Sequence, residues 1–407
     1  MLSEFIYTVK SLIGNYIDLL TMLLMPRHIM KHKFAFLIHP RGNWDIFKPF
    51  PFFRYLPESL MRKITLYLPP IHASTIEVKD VNGKVLYTGS LIGTVHTPWH
   101  MINHQKNAVI KVLEAGLLGE KRGAKMIGLG AYLPALSNYG RRFLDTKILG
   151  HNPFKEKYTS GHATTGWIIC EDTEQCIEVL GISDVTVAIV GGAGSTGTAA
   201  AKVISRIEKV GTVALFDVNR ESKIARMNET KEWIGNRAKV EIHTDLSGLI
   251  NADIIVVVTT AEGTLIKSEH LKPGAIVIDD SQPRNTSPDI LKERNDVLII
   301  DVLARFPGLD AHFDFDLVKD DPEICFTCLA ETAILAAHDW NDHFSIGILD
   351  VEKIDQIKKM GQTLGVTPAP FLSFNQPVTK EMWLKVITAR NIHTQKHNAS
   401  HLKVVNS

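Results

Sequence analysis

The chain has few cysteines for its length, four in 407 residues. A disulfide framework needs many closely spaced cysteines in a short secreted chain, so this composition excludes one and favours a reducing compartment. An excess of charge is also lacking, because the formal net charge is only +1. The whole-chain electrostatics therefore do not indicate nucleic acid as a partner, and we expect a cytoplasmic protein.

An unbroken apolar run long enough to cross a bilayer is missing too. The most apolar stretch, residues 11–30, is interrupted by Asn15, Asp18 and Pro26. It lacks a small-residue cleavage site, so we do not expect a secretory signal. The better interpretation is an amphipathic helix followed by the basic stretch 26–33. Such a helix packs on its own protein or on a dimer mate, or makes peripheral contact with a membrane.

Internal repeats and low-complexity tracts are absent, and the length suggests two or three domains. The first half mixes strand and helix signals. Residues 34–40 read as a short buried strand, and residues 74–95 as a hairpin turning at Asn82 and Gly83. A helix is predicted over 107–124, a strand over 125–136 and a second helix around 163–180.

From residue 185 onward, uniformly apolar runs of strand length alternate with helical stretches. The predicted strands are 185–190, 212–217, 252–260, 275–280 and 296–302. Runs of this kind are buried on both faces, which is typical of a parallel sheet. We therefore predict an α/β protein, with a Rossmann-type doubly wound parallel sheet and a separate α/β substrate domain.

The predicted organisation has five parts. They are an N-terminal helical extension (1–33), a substrate-binding domain (34–180), a dinucleotide-binding domain (181–320), return helices carrying the nucleophile (321–375) and a C-terminal tail (376–407).

A glycine-rich turn follows the first strand of the predicted parallel sheet. Gly192, Gly194 and Gly197 have GxGxxG spacing, Gly191 gives an overlapping pattern, and Ser195 and Thr196 open an alanine-rich helix. Glycines here allow a tight turn and close approach of a pyrophosphate to the helix N-terminus. The strand before the turn and the helix after it are the context that a dinucleotide site requires.

The identity of the dinucleotide is left open by the residues after the second strand. Asp217 could accept hydrogen bonds from a ribose 2′-hydroxyl, which favours NADH. Asn219 and Arg220 lie just beyond it, and the guanidinium could instead bind the 2′-phosphate of NADPH. Thr259 ends a later strand at the same sheet edge and is a candidate lining residue, although turn-forming polar residues are common there.

Two cysteines lie three positions apart in "DDPEICFTCLAETAILAAHDW" (320–340). The segment predicts a helix capped by Asp321 with Pro322 in its first turn, which would put Cys325 and Cys328 on one face. One of them could attack an activated acyl group and hold it as a thioester. A zinc site, a redox pair and two inert buried cysteines are the alternatives. A zinc site would need more ligands, and Cys170 and Cys176 are far away in the sequence.

The chain resembles the cyanobacterial, aldehyde-forming long-chain fatty acyl-(acyl carrier protein) reductases over residues 34 to 370. The matching stretches are "TSGHATTGWIICEDTEQCIEVLGI" (159–182), "VAIVGGAGSTGT" (187–198), "ADIIVVVTTAEGTLI" (252–266) and "CLAETAILAAHDWNDHFSIG" (328–347). In that family the nucleophilic cysteine precedes a short Phe-Ala-Glu-Ala-like run and a tryptophan. Cys328, before Leu329-Ala330-Glu331 and Trp340, matches that position.

The resemblance implies acyl transfer to Cys328 from acyl carrier protein or coenzyme A, then hydride transfer from NADPH, with NADH possible. The product would be a fatty aldehyde, for which an aldehyde-consuming enzyme is a candidate partner. The family's Thr-Gly-Asn stretch reads Thr159-Ser160-Gly161-His162 here, and Val218 stands where the family has arginine. His162 and His39 are the candidate acid–base residues.

Two other functions are compatible with the sequence. A dehydrogenase that resembles shikimate dehydrogenase would transfer hydride directly, and its cysteines would be dispensable. A non-enzymatic nucleotide-binding protein would bind the cofactor without turnover and use the N-terminal helix to dock a partner.

Overall fold

The computed structural model describes residues 1–25, 31–148, 150–155, 157–261, 263–312 and 321–405. The chain forms two compact units. The first comprises Met1–Thr164, Arg305–Ile348 and Asp355–Thr367; the second comprises Thr165–Ala304, Leu349–Ile354 and Pro368–Ser407. The first change of unit falls after Thr164, ahead of the boundary predicted near residue 181. The helix His162–Leu180 packs mostly within the second unit, where a Cβ on Gly166 would lie 2.8 Å from Ile354 Cδ1.

The helices are α1 (Leu2–Leu24), α2 (Asn43–Ile46), α3 (Glu58–Tyr67), α4 (Pro98–Asn103), α5 (Gln105–Lys121), α6 (Leu133–Leu136), α7 (His162–Leu180), α8 (Ser195–Ile204), α9 (Glu221–Ile234), α10 (Asp289–Glu293), α11 (Thr327–Ala337), α12 (Val351–Thr363) and α13 (Lys380–Val405).

The strands are β1 (Phe34–Ile38), β2 (Ile71–Lys79), β3 (Val85–Gly93), β4 (Met126–Leu129), β5 (Tyr158–Thr159), β6 (Val185–Val190), β7 (Val210–Phe216), β8 (Lys239–His243), β9 (Ile254–Val257), β10 (Ile276–Asp279), β11 (Leu298–Asp301), β12 (Leu303–Arg305), β13 (Leu309–Asp310), β14 (Ile324–Phe326), β15 (Thr367–Pro368), β16 (Leu372–Ser373) and β17 (Gln376–Pro377).

The sheet of the first unit has the order β13-β2-β3-β1-β4-β5. β2 and β3 form the predicted antiparallel hairpin, whereas β1 pairs in parallel with both β3 and β4. The Asp80 carboxylate accepts hydrogen bonds from the backbone of Asn82 and Lys84, each 2.9 Å long, which fixes the turn. Helix α11 packs on β4 and β1, and a Cβ on Gly128 would lie only 1.9 Å from Thr332 Oγ1. The cysteine-bearing helix thus lies directly on this sheet.

The sheet of the second unit has the order β11-β10-β9-β6-β7-β8, and all its strands are parallel. The strand order reverses between β6 and β9, which is the doubly wound Rossmann topology and confirms the predicted fold class. β9 and β10 are buried on both faces, as their apolar sequences predicted. The turn after β6 lies at the switch point, where ligands bind in open α/β sheets.

The helix predicted over residues 320–340 is wrong in its first part. Residues 324–326 form β14, and α11 begins only at Thr327. The reason is Arg305, whose guanidinium forms ion pairs with Asp321 and Glu323, while Phe306 N–H donates to the Glu323 carbonyl at 2.8 Å. These contacts hold the segment extended and out of the helix. Cys325 therefore lies in a strand and does not share a helix face with Cys328.

Helix α1 is attached to the first unit, and its inward face contacts residues 51–55, β2 and α5. Met22 and Leu19 join the core that α5, β1 and β4 form. Within the described ranges, none of the helices is both long and apolar enough to cross a membrane.

Candidate active site

Cys328 is the second residue of α11, one residue after Thr327, with Phe326 as the N-cap. Its side chain is partly exposed. The N-terminus of a helix carries partial positive charge, because its first amides have no intrahelical acceptor, and a thiolate in the first turn lies in that field. The charges of Asp321 and Glu323, which precede the helix, are partly offset by Arg305, whose guanidinium pairs with both carboxylates. This arrangement suits a reactive thiolate.

Cys325 lies in a different environment. Its side chain is only 2% exposed. Burial raises the pKa of the Cys325 thiol, with a further contribution from Cys328 nearby. A buried thiol with a raised pKa is a poor nucleophile at neutral pH.

Gly161 lies directly against Cys328. A Cβ on Gly161 would be 2.3 Å from Cys328 Cβ and 2.7 Å from its Cα, and Gly161 adopts φ +83°. Both the close approach and the left-handed backbone require glycine at this position. Gly161 belongs to residues 159–162, the stretch that departs from the family sequence. These residues therefore border Cys328, and we call them the wall of the cysteine site.

His162 follows Gly161 and begins α7. It is 4% exposed, its Nδ1 is hydrogen-bonded to Ser160 Oγ, and its ring lies 5.2 Å from that of Tyr139. Burial lowers the pKa of His162 to about 3, against a hydrogen bond to the Gly347 backbone that raises it. The imidazole is therefore neutral at physiological pH. His162 is the last residue of the wall and directly follows Gly161, which contacts Cys328.

Glu331 joins the cysteine helix to this wall. It is fully buried one turn after Cys328, and its carboxylate accepts hydrogen bonds from Thr159 Oγ1, from Thr164 N at 2.7 Å and from the Ala163 backbone. Burial raises the pKa of Glu331, and these hydrogen bonds oppose the rise. No role for Glu331 was predicted from the sequence, where the available signal was a lone acid in the apolar run "CLAETAILAA".

The glycine-rich turn of the second unit is tightly packed. A Cβ on Gly191, which has φ +90°, would lie 2.8 Å from Val258 O, and a Cβ on Gly197 would lie 2.1 Å from Gly191 O. Gly194 is the N-cap of α8. The amides of Gly191 and Gly192 donate to Phe216 O at 2.9 and 3.0 Å. This geometry brings the start of α8 close to the strand ends, and it fits a bound pyrophosphate.

The other predicted cofactor residues differ in position. Ser195 is buried, and its Oγ accepts from Leu349 N at 3.1 Å. Thr196, the next residue of α8, is also largely buried, at 8% exposed. Thr259 lies beside Gly191, with its Cα 3.2 Å from the Cβ that Gly191 lacks. Asn219 and Arg220 are exposed, and Arg220 is the N-cap of α9.

Asp217 is linked to the glycine-rich turn. Its Oδ2 accepts from Ala193 N at 3.0 Å and lies 3.5 Å from Lys223 Nζ, and its Oδ1 accepts from Val218 N at 2.8 Å. Arg226, one turn after Lys223 on α9, donates to Ala193 O at 3.3 Å. Lys223 and Arg226, which sequence reasoning missed, thus bring two cations to the end of the second strand.

No protein-family model matches the chain. A long-chain acyl-[acyl-carrier-protein] reductase from Synechococcus elongatus is 27% identical over 312 residues, which cover 74% of this chain and 88% of that protein. The chain is therefore similar to the family named from its sequence. The aminotransferase PigE of a Serratia strain is 27% identical over 278 residues, 64% of this chain but only 30% of its own length.

Similar solved structures are more distant. Shikimate 5-dehydrogenase from Listeria monocytogenes covers 81% of this chain and 96% of its own, at 13% identity and a TM-score of 0.31. The iminosuccinate reductase of Paracoccus denitrificans covers 33% of this chain and 42% of its own, at 17% identity and a TM-score of 0.27. At such scores neither structure informs function.

Among the residues with described positions, no group of three or more His, Cys, Asp or Glu is placed to hold a metal ion.

Proposed function

We propose that the protein reduces a long-chain fatty acyl thioester to a fatty aldehyde through an acyl-enzyme on Cys328. The observation that carries the proposal is the position of Cys328 in the first turn of α11, against Gly161. The similarity to the long-chain acyl-[acyl-carrier-protein] reductase supports it.

The Cys328 thiolate attacks the thioester carbonyl, a new carbon–sulfur bond forms, and the donor thiol leaves. The first-turn amides of α11 would stabilise the developing oxyanion. NADPH or NADH, when bound, supplies the hydride that reduces the acyl carbon. The resulting thiohemiacetal on Cys328 expels the thiolate and releases the aldehyde. His162 is our candidate for proton movement in these steps, and acyl carrier protein and coenzyme A remain the candidate acyl donors.

The proposed cofactor site consists of the turn Gly191–Gly197 with Asp217 and Thr259. The N-terminus of α8 would hold the pyrophosphate, because the amides of Gly191, Gly192 and Ala193 in the turn already donate to Phe216 O and Asp217. We propose NADPH as the main cofactor, because Lys223 and Arg226 offset the charge of Asp217 and can bind a 2′-phosphate. NADH remains possible, since Asp217 has an oxygen near the expected ribose position.

The test is to incubate the purified full chain with a long-chain acyl-coenzyme A, and separately with the acyl carrier protein thioester, without cofactor. Intact mass should increase by one acyl group, and peptide mapping should place it on Cys328. Adding NADPH should then remove the acyl group and release one equivalent of aldehyde. A protein that binds NADPH but gains no acyl mass from either donor would contradict the proposal.

A further inference from the structure

Helix α1 is attached to the protein by polar side chains as well as by Leu19 and Met22. Thr8 Oγ1 accepts from Phe52 N at 3.0 Å, and Asn15 Nδ2 donates to Pro69 O at 2.8 Å. Asp18 accepts from the His72 amide at 2.8 Å and pairs with Arg122 at 3.5 Å. Thr8, Asn15 and Asp18 are all buried. The inward face of the helix thus combines these polar side chains with Leu19 and Met22, so that it is more polar than the inward face of a usual surface helix.

The apolar face of α1 is consequently turned outward. Its side chains recur every three or four residues along the whole helix, and their exposed fractions range from 38% to 74%. We call them the outer face of α1: Leu2, Phe5, Ile6, Val9, Ile13, Tyr16, Ile17, Leu20, Leu23 and Leu24. At 1.5 Å per residue this face is about 35 Å long. Contiguous exposed apolar surface of this extent marks an interaction site.

The charges of the helix indicate which partner fits. Glu4 and Asp18 are turned toward the protein, where Glu4 pairs with Arg54 and Asp18 with Arg122. Lys10 is exposed beside the outer face. Lys31, which follows the helix, is exposed as well. The outer face is thus accompanied by two described cations, Lys10 on the helix and Lys31 after it, and by no anion of the helix. This combination suits an anionic lipid surface.

The width of the outer face argues against a second copy of the chain as the partner that covers it. When two helices pair, they contact each other along a narrow apolar stripe with charged residues beside it. In α1 such a stripe would consist of positions such as Ile6, Val9 and Ile13. Here Phe5 and Ile17 widen the apolar surface on both sides, to about 120° of the helix circumference. We propose that the outer face of α1 inserts into the surface of a lipid bilayer, with the helix lying parallel to it. This inference does not rest on the proposed reaction.

The experiment is flotation of the purified full chain with vesicles of phosphatidylcholine alone or mixed with phosphatidylglycerol. We expect the protein to float with both, and more completely with the anionic vesicles at low salt. The double substitution Ile13→Glu and Leu20→Glu should lower the bound fraction at least tenfold, with an unchanged circular dichroism spectrum. Val81→Glu is the matched control, because Val81 is fully exposed at the hairpin turn, and it should bind like the wild type.

Two results would overturn the proposal. One is a wild-type protein that stays in solution with both kinds of vesicle. The other is a lipid-free dimer, seen by light scattering, that the double substitution converts to a monomer while vesicle binding stays unchanged. That second result would assign the outer face to a second copy of the chain.

Discussion

At the scale of single residues, Cys325 and Cys328 differ in burial, although they lie only three positions apart. Cys325 is buried in β14, where its thiol is disfavoured from ionising, and Cys328 is partly exposed at the start of α11. We expect Cys328→Ala to abolish both acyl-enzyme formation and aldehyde release. Cys325→Ala is the control and should keep substantial activity. Mapping of the acyl group to Cys325 by mass spectrometry would reverse the assignment.

A second prediction at the scale of single residues concerns Gly161 and the rate of acylation. Gly161→Ala puts a methyl group 2.3 Å from Cys328 Cβ, so the cysteine must move, and a displacement of about 1 Å can lower a rate about a hundredfold. The acylation rate, measured by intact mass in a single turnover, should fall by that order. Gly83→Ala is the matched control, since Gly83 has φ +78° with no other group within 4 Å. Equal acylation rates in both variants would mean that the contact is unimportant.

His39 gives a prediction about pH. Its Nε2 accepts from Tyr132 N at 2.9 Å and its Nδ1 bonds to Pro40 O at 2.8 Å, a pattern that only the neutral ring satisfies. Burial lowers the pKa of His39 to about 4. Because the unfolded chain has the higher pKa, it binds the proton first, and the stability contribution of His39 is lost as pH falls from 6.5 toward 4.

The measurement is urea unfolding of the wild type and of His39→Gln at pH 8, 6.5 and 5. We expect the variant to be less stable at pH 8, by about 1–3 kcal/mol for the disturbed hydrogen bonds. The difference should shrink by about 1.5 kcal/mol between pH 6.5 and pH 5. A difference that is constant with pH would show that His39 does not titrate on unfolding in this range.

At the scale of helices and strands, sequence patterns predicted elements well where burial is uniform. Residues 254–257 and 276–279 are buried throughout, and their apolar runs predicted β9 and β10. β8 was missed, because it lies at the sheet edge and its sequence alternates polar and apolar residues. The start of α11 was misplaced since Asp321 and Pro322 are local helix signals, whereas the ion pairs of Arg305 are not visible in the local sequence.

The candidate sites likewise contain some residues that local sequence patterns predict and others that they do not. Gly191 to Gly197 and Asp217 could be predicted as a group, because their spacing fixes their geometry. Glu331 and Gly161 depend on contacts between distant parts of the chain, which no local pattern encodes. The proximity of Lys223 to Asp217 depends on how α9 packs on the sheet.

Helix α9 supplies the prediction on cofactor choice. Lys223→Glu removes the cation beside Asp217 and adds a like charge near the proposed 2′-phosphate site. We expect the ratio of kcat/KM for NADPH over NADH to fall tenfold or more, which corresponds to ~1.4 kcal/mol. Lys231→Glu, an exposed substitution on the same helix, should leave the ratio unchanged. A change with Arg220→Glu but not with Lys223→Glu would instead assign the 2′-phosphate to Arg220.

At the scale of the whole molecule, the residues of the two proposed half-reactions belong to different units. Cys328 and its wall belong to the first unit, and the glycine-rich turn belongs to the second. Gly194→Val places a branched side chain at the N-cap of α8 and should weaken nicotinamide dinucleotide binding at least tenfold in a titration. The variant should still gain acyl mass on Cys328 but release no aldehyde. Unchanged cofactor affinity would show that the turn is not the binding site.

The Thr159–Glu331 hydrogen bond has a consequence for how the protein is made. The two residues are 172 positions apart, and the second unit's main segment, Thr165–Ala304, is synthesised between them. At ribosomal rates of about 5–20 residues per second, roughly 10–30 s separate their translation. During that interval Gly128 and Gly161 have no α11 to contact. The segment that carries the glycine-rich turn is thus complete before Cys328 is translated, and the contacts around Cys328 form only in the last part of translation.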